Sequence, residues 1–403
     1  MTIRSDTTRG EAGKRRGLAL HAVTLIAFLA ASSAPTPLYP LYQAAWGFSA
    51  LMITVIFAVY AAALLTTLLF FGALSNHWGR RPVIVLALAA ELLAMALFLM
   101  AQDGGWLLAA RLVQGFATAL ATTSLAAALL DIDHKAGATI NSIAPMIGMG
   151  VGALGSGLLA QVAPAPLRFV YGLLIAVFLV QMLRSARSAE TAASLSATRW
   201  SPRPRIDVPE AARKAFLRVA PLNIATWALG GFFLSLMPSL IRDMSGGATT
   251  WLGGGAVAAL TFAGTVAIVT YRNKTASAGL ATGGLMLSLG TAVILGGVYL
   301  ASPTLLMAGA LVSGIGFGAG FLGAIRSINA NVTASERAGL MSAFYFESYL
   351  ANSVPAMIAG YAARHIGLAE TATGFGAFII ALALLSLALP DAECPRKTAE
   401  QGA

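Results

Sequence analysis

The chain has 403 residues, of which 58% are hydrophobic and only 10% charged. A soluble domain carries about 25% charged residues, so most of this chain belongs in lipid. The formal net charge of +10 does not point to nucleic acid, because the basic residues fall in loops and termini, where orientation signals and anionic headgroups account for them. The single cysteine, Cys394, excludes an intramolecular disulfide.

A spanning helix needs about 20 apolar residues, and twelve such segments can be placed. They run over 17–43, 48–74, 82–101, 105–130, 137–161, 166–186, 216–241, 250–270, 276–299, 303–326, 338–361 and 369–390. The expected fold is therefore an all-α membrane protein of twelve transmembrane helices in two six-helix bundles. The first 16 residues carry Arg4, Arg9, Lys14, Arg15 and Arg16. No small-residue cleavage site follows them, so the first segment reads as a retained helix. The longest gap, 187–215, is rich in Ser, Ala, Pro and Arg and reads as a linker. It divides the chain into an amino-terminal bundle (1–186) and a carboxy-terminal bundle (216–390), followed by a polar tail (391–403).

Basic residues orient the bundle. With the amino terminus inside, 22 lysines and arginines fall on the cytoplasmic face and 3 outside, with Arg111 left within a helix. Cationic loops stay inside, so both termini are expected to be cytoplasmic. The halves also repeat. Leu38-Tyr-Pro40 matches Leu236-Met-Pro238, Leu112-Val-Gln-Gly115 matches Leu311-Val-Ser-Gly314, and Ala136-Gly137 matches Ala338-Gly339. The offset is nearly constant, as parallel repeats about an axis along the membrane normal require.

Between the second and third helices lies Gly72-Ala-Leu-Ser-Asn76-His-Trp-Gly79-Arg80-Arg81-Pro82. Gly79 permits a backbone shape that other residues resist. The two arginines hold the turn at the cytoplasmic surface, and Pro82 suits a first helical turn. The stretch resembles the loop signature of the major facilitator superfamily, G-x-L-x-D-R-x-G-R-R, with Asn76 at the acidic position and His77 at the first arginine. The resemblance implies a cytoplasmic gate of Gly72, Asn76, Gly79, Arg80 and Arg81. Asp131, at the inner end of the fourth helix, could supply the missing charge.

Charges inside helices are expensive unless paired or hydrated, and three occur: Glu91, Arg111 and Glu347. Arg111-Leu-Val-Gln114-Gly115 resembles the family's fourth-helix signature R-x-x-x-G, whose arginine is implicated in proton coupling. The alternative is an arginine snorkelling to the outer interface. Glu91 lies in the third helix at a depth roughly 6 Å from that of Arg111, by counting residues from the short loop that joins the two helices. It is either a coupling acid or a neutral group hydrogen-bonded between helices. Glu347 lies in Phe344-Tyr-Phe-Glu-Ser-Tyr-Leu-Ala-Asn352. There Tyr345, Tyr349 and Asn352 share a face that Glu347, about 200° round from Tyr345, cannot fully join. One face meets the cavity and the other a neighbouring helix.

The fifth helix carries Gly148, Gly152 and Gly157 in a pattern similar to the family's antiporter signature G-x-x-x-G-P-x-x-G-G, with Ala153 for the proline and Ser156 for a glycine. Glycines four apart also serve plain helix packing. Tyr39, Gln114, Asn223 and Trp227 are placed at the substrate cavity with Tyr345, Tyr349 and Asn352, because helices 1, 4, 7 and 10 line it in this family. No phosphate-binding loop or metal-ligand spacing is present, so neither enzyme chemistry nor a metal is expected.

The resemblance is to the twelve-helix drug:proton antiporter branch. It implies proton-coupled efflux of small amphipathic or aromatic compounds by alternating access, from the cytoplasmic (inner) membrane, by a monomer. The expected partners are substrate, protons and membrane lipid, with no cofactor beyond the proton gradient. The alternatives are a proton-coupled importer of a small metabolite and, more remotely, a non-transporting sensor.

Overall fold

The computed structural model describes residues 3–193, 195, 206–246, 250–330 and 332–389. The middle of the linker (196–205), the polar tail with Cys394, and Asn331 lie outside the described residues. The elements are helical: α1 (Ile3–Ser33), a 3-10 turn (Thr36–Leu38), α2 (Tyr39–Trp46), α3 (Ala50–Phe71), α4 (Ser75–Trp78), α5 (Arg80–Leu99), α6 (Gly104–Ile132), α7 (His134–Val162) and α8 (Pro166–Ala186) form the first half. The second half contains α9 (Glu210–Ser235), α10 (Met237–Met244), α11 (Thr250–Tyr271), α12 (Ala276–Tyr299), α13 (Pro303–Asn329), α14 (Ala334–Ile366) and α15 (Leu368–Ala388).

Eleven spans are long and apolar enough to cross a membrane. The twelfth, α14, has 33 residues and is long enough, but Glu347, Asn352 and its serines lower its hydropathy. Twelve crossings result, as the apolar runs predict. The ends differ from expectation in physically simple ways. α1 begins at Ile3 and α9 at Glu210, so both helices extend beyond their apolar segments into the polar face. The first and seventh crossings are each broken near their far ends, at Pro35-Thr-Pro37 and at Leu236 before Pro238. A proline there removes the amide that would bond one turn back.

The two halves are related by a two-fold axis along the membrane normal. α1 packs on α6, α7 and α8, as α9 packs on α13, α14 and α15. α3 and α5 pack on α6, as α11 and α12 pack on α13. Exchanging the halves also turns the α3–α14 contact into the α11–α7 contact, and these are the two main seams between them. The buried apolar residues form one large cluster drawn from α1 to α8 and another drawn chiefly from α9 to α15, which Met146 and Ala153 of α7 join across the seam.

We call the face carrying Arg80, Arg81 and the linker the basic face. At the opposite face the halves are knitted together. Thr36 Oγ1 donates to Leu234 O at 3.1 Å. Pro238 has no amide to offer that carbonyl, so the two proline breaks dock on each other across the seam. At Gly254 an added Cβ would lie 2.1 Å from Ala153 O, and at Gly360 it would lie 2.2 Å from Thr54 Oγ1.

α7 offers an internal comparison. A Cβ at Gly152 would meet Ala30 O at 2.0 Å, whereas one at Gly155 meets nothing within 4 Å. Gly152→Ala must therefore push α1 and α7 apart and should destabilise by about 1–3 kcal/mol. Gly155→Ala should be neutral or gain roughly 0.5–1 kcal/mol from helix propensity. Melting temperatures of the two purified variants check this; equal values would refute the close α1–α7 packing.

Candidate functional site

The break after Ser33 creates the acceptors around which the site forms. Pro35 carries no N–H, so Ala31 O is left without its helical partner, and the break that follows frees Ser32 O and Ala34 O as well. Buried backbone carbonyls must be satisfied, and side chains of α6 and α7 do so. Ala31 O accepts from Gln114 Nε2 at 3.1 Å, Ser32 O from Arg111 Nη1 at 2.7 Å, and Ala34 O from Ser156 Oγ at 2.6 Å.

Arg111 is 1% exposed and points into the amino-terminal half. Its Nε and Nη2 both donate to Tyr39 Oη, at 3.1 and 2.6 Å, and Nη1 also donates to Gln114 Oε1 at 2.7 Å. Its guanidinium lies 5.0 Å from the ring centroid of Tyr60 and 5.8 Å from those of Tyr39 and Phe98. Such ring faces attract a cation. The guanidinium thus sits among oxygens and rings, not at the headgroups as snorkelling would require.

Glu91 is wholly buried on α5. It does not meet Arg111 directly. Gln114 stands between them, its Nε2 donating to Glu91 Oε1 at 3.0 Å. The amide orientation is forced, because turning it would aim its oxygen at both the carboxylate and Ala31 O. Glu91 Oε2 is buried with no hydrogen-bond partner among the described residues. A carboxylate and a guanidinium joined through one amide form a relay in which a proton on the acid alters what the amide and the arginine must satisfy. Tyr39 and Gln114, expected at the cavity, are both wholly buried, and in this conformation their polar atoms serve the Arg111–Glu91 network.

The second half contributes aromatic rings. Trp227 lies 5.3 Å from Tyr349 and 6.2 Å from Phe321; Phe344 is 6.2 Å from Phe321 and 5.8 Å from Tyr345. Trp227, Phe321, Tyr345 and Tyr349 are each partly exposed. Tyr349 packs across the seam on Tyr60, Leu64 and Ala119. Tyr60 therefore touches both the arginine and the aromatic cluster. Asn223 Nδ2 donates to Ser348 Oγ at 3.0 Å, and Asn352 closes on α9 where an added Cβ at Gly231 would lie 2.0 Å from Asn352 O. These two asparagines join α9 to α14.

Glu347 sits apart from that cluster. Phe346, Leu350, Val354, Met357 and Tyr361 are exposed and form the apolar, lipid-facing stripe of α14. By helical angle Glu347 lies between this stripe and the side of α14 that meets α9, and its two carboxyl oxygens have no hydrogen-bond partner among the described residues. Of the two faces weighed from the sequence, the tyrosine face is the one that meets α3, and Trp227 of α9 packs on its Tyr349.

At the basic face Arg80 Nε donates to Asp131 at 3.0 Å, and its Nη1 donates to Ser75 Oγ and Asn76 Oδ1. Asp131 thus supplies the charge that Asn76 lacks. Glu190, beyond the end of α8, is a contributor that the sequence did not reveal. Its two oxygens accept from the backbone amides of Arg80 and Arg81 at 2.9 and 3.0 Å, capping α5. Gly79, at φ 93°, leaves room for it, since a Cβ there would lie 2.7 Å from Glu190 Oε2. Gly72 turns the chain after α3, where a Cβ would strike Leu68 O. In α7, Gly148 and Gly152 admit the backbone of α1, and Gly157 admits Trp251 of α11.

Partial burial pushes the Glu190 carboxyl up, but the amides of Ala192, Arg80, Arg81 and Thr191 outweigh it and hold the group below the usual carboxylate range. A depressed folded pKa means stability that is present above the unfolded value and lost as pH falls through the folded one. Glu190→Ala should therefore cost about 1 kcal/mol or less at pH 7, the residue being exposed. The gap from wild type should close as pH falls below about 4. Melting temperatures across that range check it; a gap independent of pH would show that the carboxylate does not cap α5.

The chain matches the model of the Major Facilitator Superfamily over residues 21–277. No curated protein sequence matches it. Among solved structures, the nucleoside transporter NupG is similar with 14% identity and a TM-score of 0.71, covering 92% of this chain and 99% of that one. A peptide transporter, POT, in complex with sulfate aligns with a TM-score of 0.76 at 12% identity, covering 93% and 94%. The human organic anion transporter MFSD10 aligns with a TM-score of 0.63 at 15% identity, covering 93% and 99%. At these identities the likeness is one of fold.

Proposed function

Because the chain belongs to the major facilitator superfamily, a family of transporters, we propose that it is a proton-coupled exporter of small amphipathic or aromatic compounds that works by alternating access. The observation that carries this reading is the buried chain Glu91–Gln114–Arg111, which reaches the aromatic cluster between the halves through Tyr60. Substrate binds among Trp227, Phe321, Tyr345 and Tyr349, whose rings offer apolar area and π-faces. Protons are taken up and released at Glu91, and Glu347 is the second candidate. The basic face is cytoplasmic in the inner membrane, and the seam knitted at the opposite face makes this an inward-facing state. Efflux rests on the glycine pattern of α7; counterflow in vesicles separates it from import.

In this reading a proton taken at the unpartnered Glu91 Oε2 weakens Oε1 as an acceptor for Gln114, and a shift of that amide disturbs the hold of Arg111 on Tyr39 and Ser32. Both belong to the broken end of the first crossing, which docks on Leu234 of the other half. Protonation state is thereby tied to the seam. Glu91→Gln keeps shape and hydrogen bonding but removes titration. It should abolish uphill transport driven by an imposed pH gradient in reconstituted vesicles, while downhill exchange of substrate survives. If Glu91→Gln, Glu347→Gln and the double variant all still concentrate substrate, proton coupling lies elsewhere.

Arg80 and Arg81 organise the basic face, far from the aromatic rings. Replacing both with Ala should slow transport severalfold and leave substrate affinity in detergent within about twofold of wild type, a difference under roughly 0.5 kcal/mol. A collapse of affinity in a folded double variant would place substrate at this face.

A further inference from the structure

A cavity of about 460 Å³ opens at the basic face between α9, α12 and α15, in the second half. It belongs neither to the Glu91–Arg111 network nor to the aromatic cluster. One wall is polar: Arg218 of α9, Ser277 of α12 and Ser386 of α15. The other is apolar, with Leu280, Ala281 and Leu387. Arg218 is held at the cavity by its Nη1, which donates to Ser386 O at 3.4 Å. A guanidinium has five donors in a planar fork that suits phosphate oxygens. The polar wall also includes the start of α12. Thr275 Oγ1 caps Ala278 N there, and the amides of Ala276 and Ser277 lie ahead of that cap, at the positive end of the helix. Arg213 and Lys214 on α9, and Arg272 and Lys274 before α12, are all exposed at the same membrane boundary.

Two features identify the class of occupant. The cavity sets a polar wall beside an apolar one at the membrane boundary, the two kinds of surface that a phospholipid occupies together. Four further exposed cations, Arg213 and Lys214 before Arg218 and Arg272 and Lys274 before α12, stand on the segments that carry it, and basic clusters of this size beside membrane helices hold anionic headgroups. A soluble anion would use the polar wall alone and leave Leu280 and Leu387 idle. We propose that this cavity binds the phosphate headgroup of an anionic phospholipid from the leaflet at the basic face. The phosphate sits between Arg218 and the first turn of α12, and an acyl chain lies along the groove between α12 and α15. Bound there, the lipid joins α9, the first helix of the second half, to α12 and α15 at its outer side.

The test uses full-length protein purified in detergent and freed of native lipid. Thermal stability is followed while phosphatidylglycerol, phosphatidylcholine or inorganic phosphate is added. Phosphatidylglycerol should raise the melting temperature and the other two should not. Arg218→Ala should raise the half-saturating lipid fraction about fivefold, as loss of one interfacial arginine implies. Because Arg218 also holds Ser386, a second variant keeps that contact: Ala281→Phe, at an exposed position, fills the cavity and should block the lipid effect. Arg218→Lys should restore part of it. The proposal is overturned if phosphatidylcholine or inorganic phosphate stabilises as well as phosphatidylglycerol. It is also overturned if Ala281→Phe, folded and with unchanged melting in the absence of lipid, responds like wild type.

Discussion

A guanidinium cannot shed its charge inside a protein, so a chain that buries one must surround it with oxygen. This is the constraint on which the amino-terminal half depends. Arg111 draws acceptors from a helix that Pro35 and Pro37 have opened, and the carbonyls of Ala31, Ser32 and Ala34 at the break are taken by side chains of other helices. The prolines and the arginine compensate each other. Without the break, Ala31 O and Ser32 O would be committed to their own helix; without Arg111 and Gln114, the break would leave buried carbonyls unpaired at a cost of about 1–3 kcal/mol each. The kink, the buried charge and the closed seam at Thr36 and Leu234 therefore form one unit.

The two-fold relation of the halves makes the asymmetry of this unit informative. At the repeat offset, Glu91, Arg111 and Gln114 fall on Gly290, Ala310 and Ser313. The contact is retained there, since a Cβ on Gly290 would lie 2.3 Å from Ser313 N. Its chemistry is gone. Where the first half holds α5 and α6 apart with a carboxylate and an amide, the second half brings α12 and α13 into backbone contact at Gly290, Gly309 and Gly316. One half carries a titratable, desolvated cluster and the other a dense glycine-packed one, with aromatic rings turned to the seam. A charge that the fold does not require in both halves is one that function has to explain.

Much of this was legible in the sequence because membrane segments are long and their signals are strong. Apolar runs located the twelve crossings, lysines and arginines marked one face, and the cost of an intramembrane charge pointed Arg111 inward. What was illegible depends on contacts between helices. The depth estimate allowed Arg111 to reach Glu91 directly, but Gln114, one turn on from Arg111, occupies the space between them. Tyr60 sits in an otherwise plain apolar helix, and only packing reveals that it touches both Arg111 and Tyr349. Glu190 follows α8 in a polar stretch with no periodicity, so nothing local marks it as the cap of a helix 110 residues earlier. The prolines of the first crossing were visible, and their missing amides could have been traced to the carbonyls of Ala31 and Ser33. That Gln114 would fill the first of them, and Arg111 and Ser156 the neighbouring Ser32 and Ala34 carbonyls, could not.

The placement of the two intramembrane acids separates their roles on physical grounds. Glu347 is only partly buried, lies at the border of the lipid-facing stripe of α14, and has no hydrogen-bond partner among the described residues, so a change in its charge disturbs no network there. Glu91 lies at the end of a relay: its Oε1 accepts from Gln114, and its Oε2 has no partner among the described residues. Gln114 spends both amide hydrogens and its oxygen, and Arg111 donates to three different acceptors. A proton taken at Oε2 weakens Oε1 as an acceptor for Gln114, and any donor that then loses its partner at this depth is expensive. Its nearest relief is at Tyr39 and Ser32, which flank the break docked against Leu234. That is why we assign the coupling proton to Glu91: it is the acid whose change of state can be passed on, through Gln114 and Arg111, to the broken end of the first crossing.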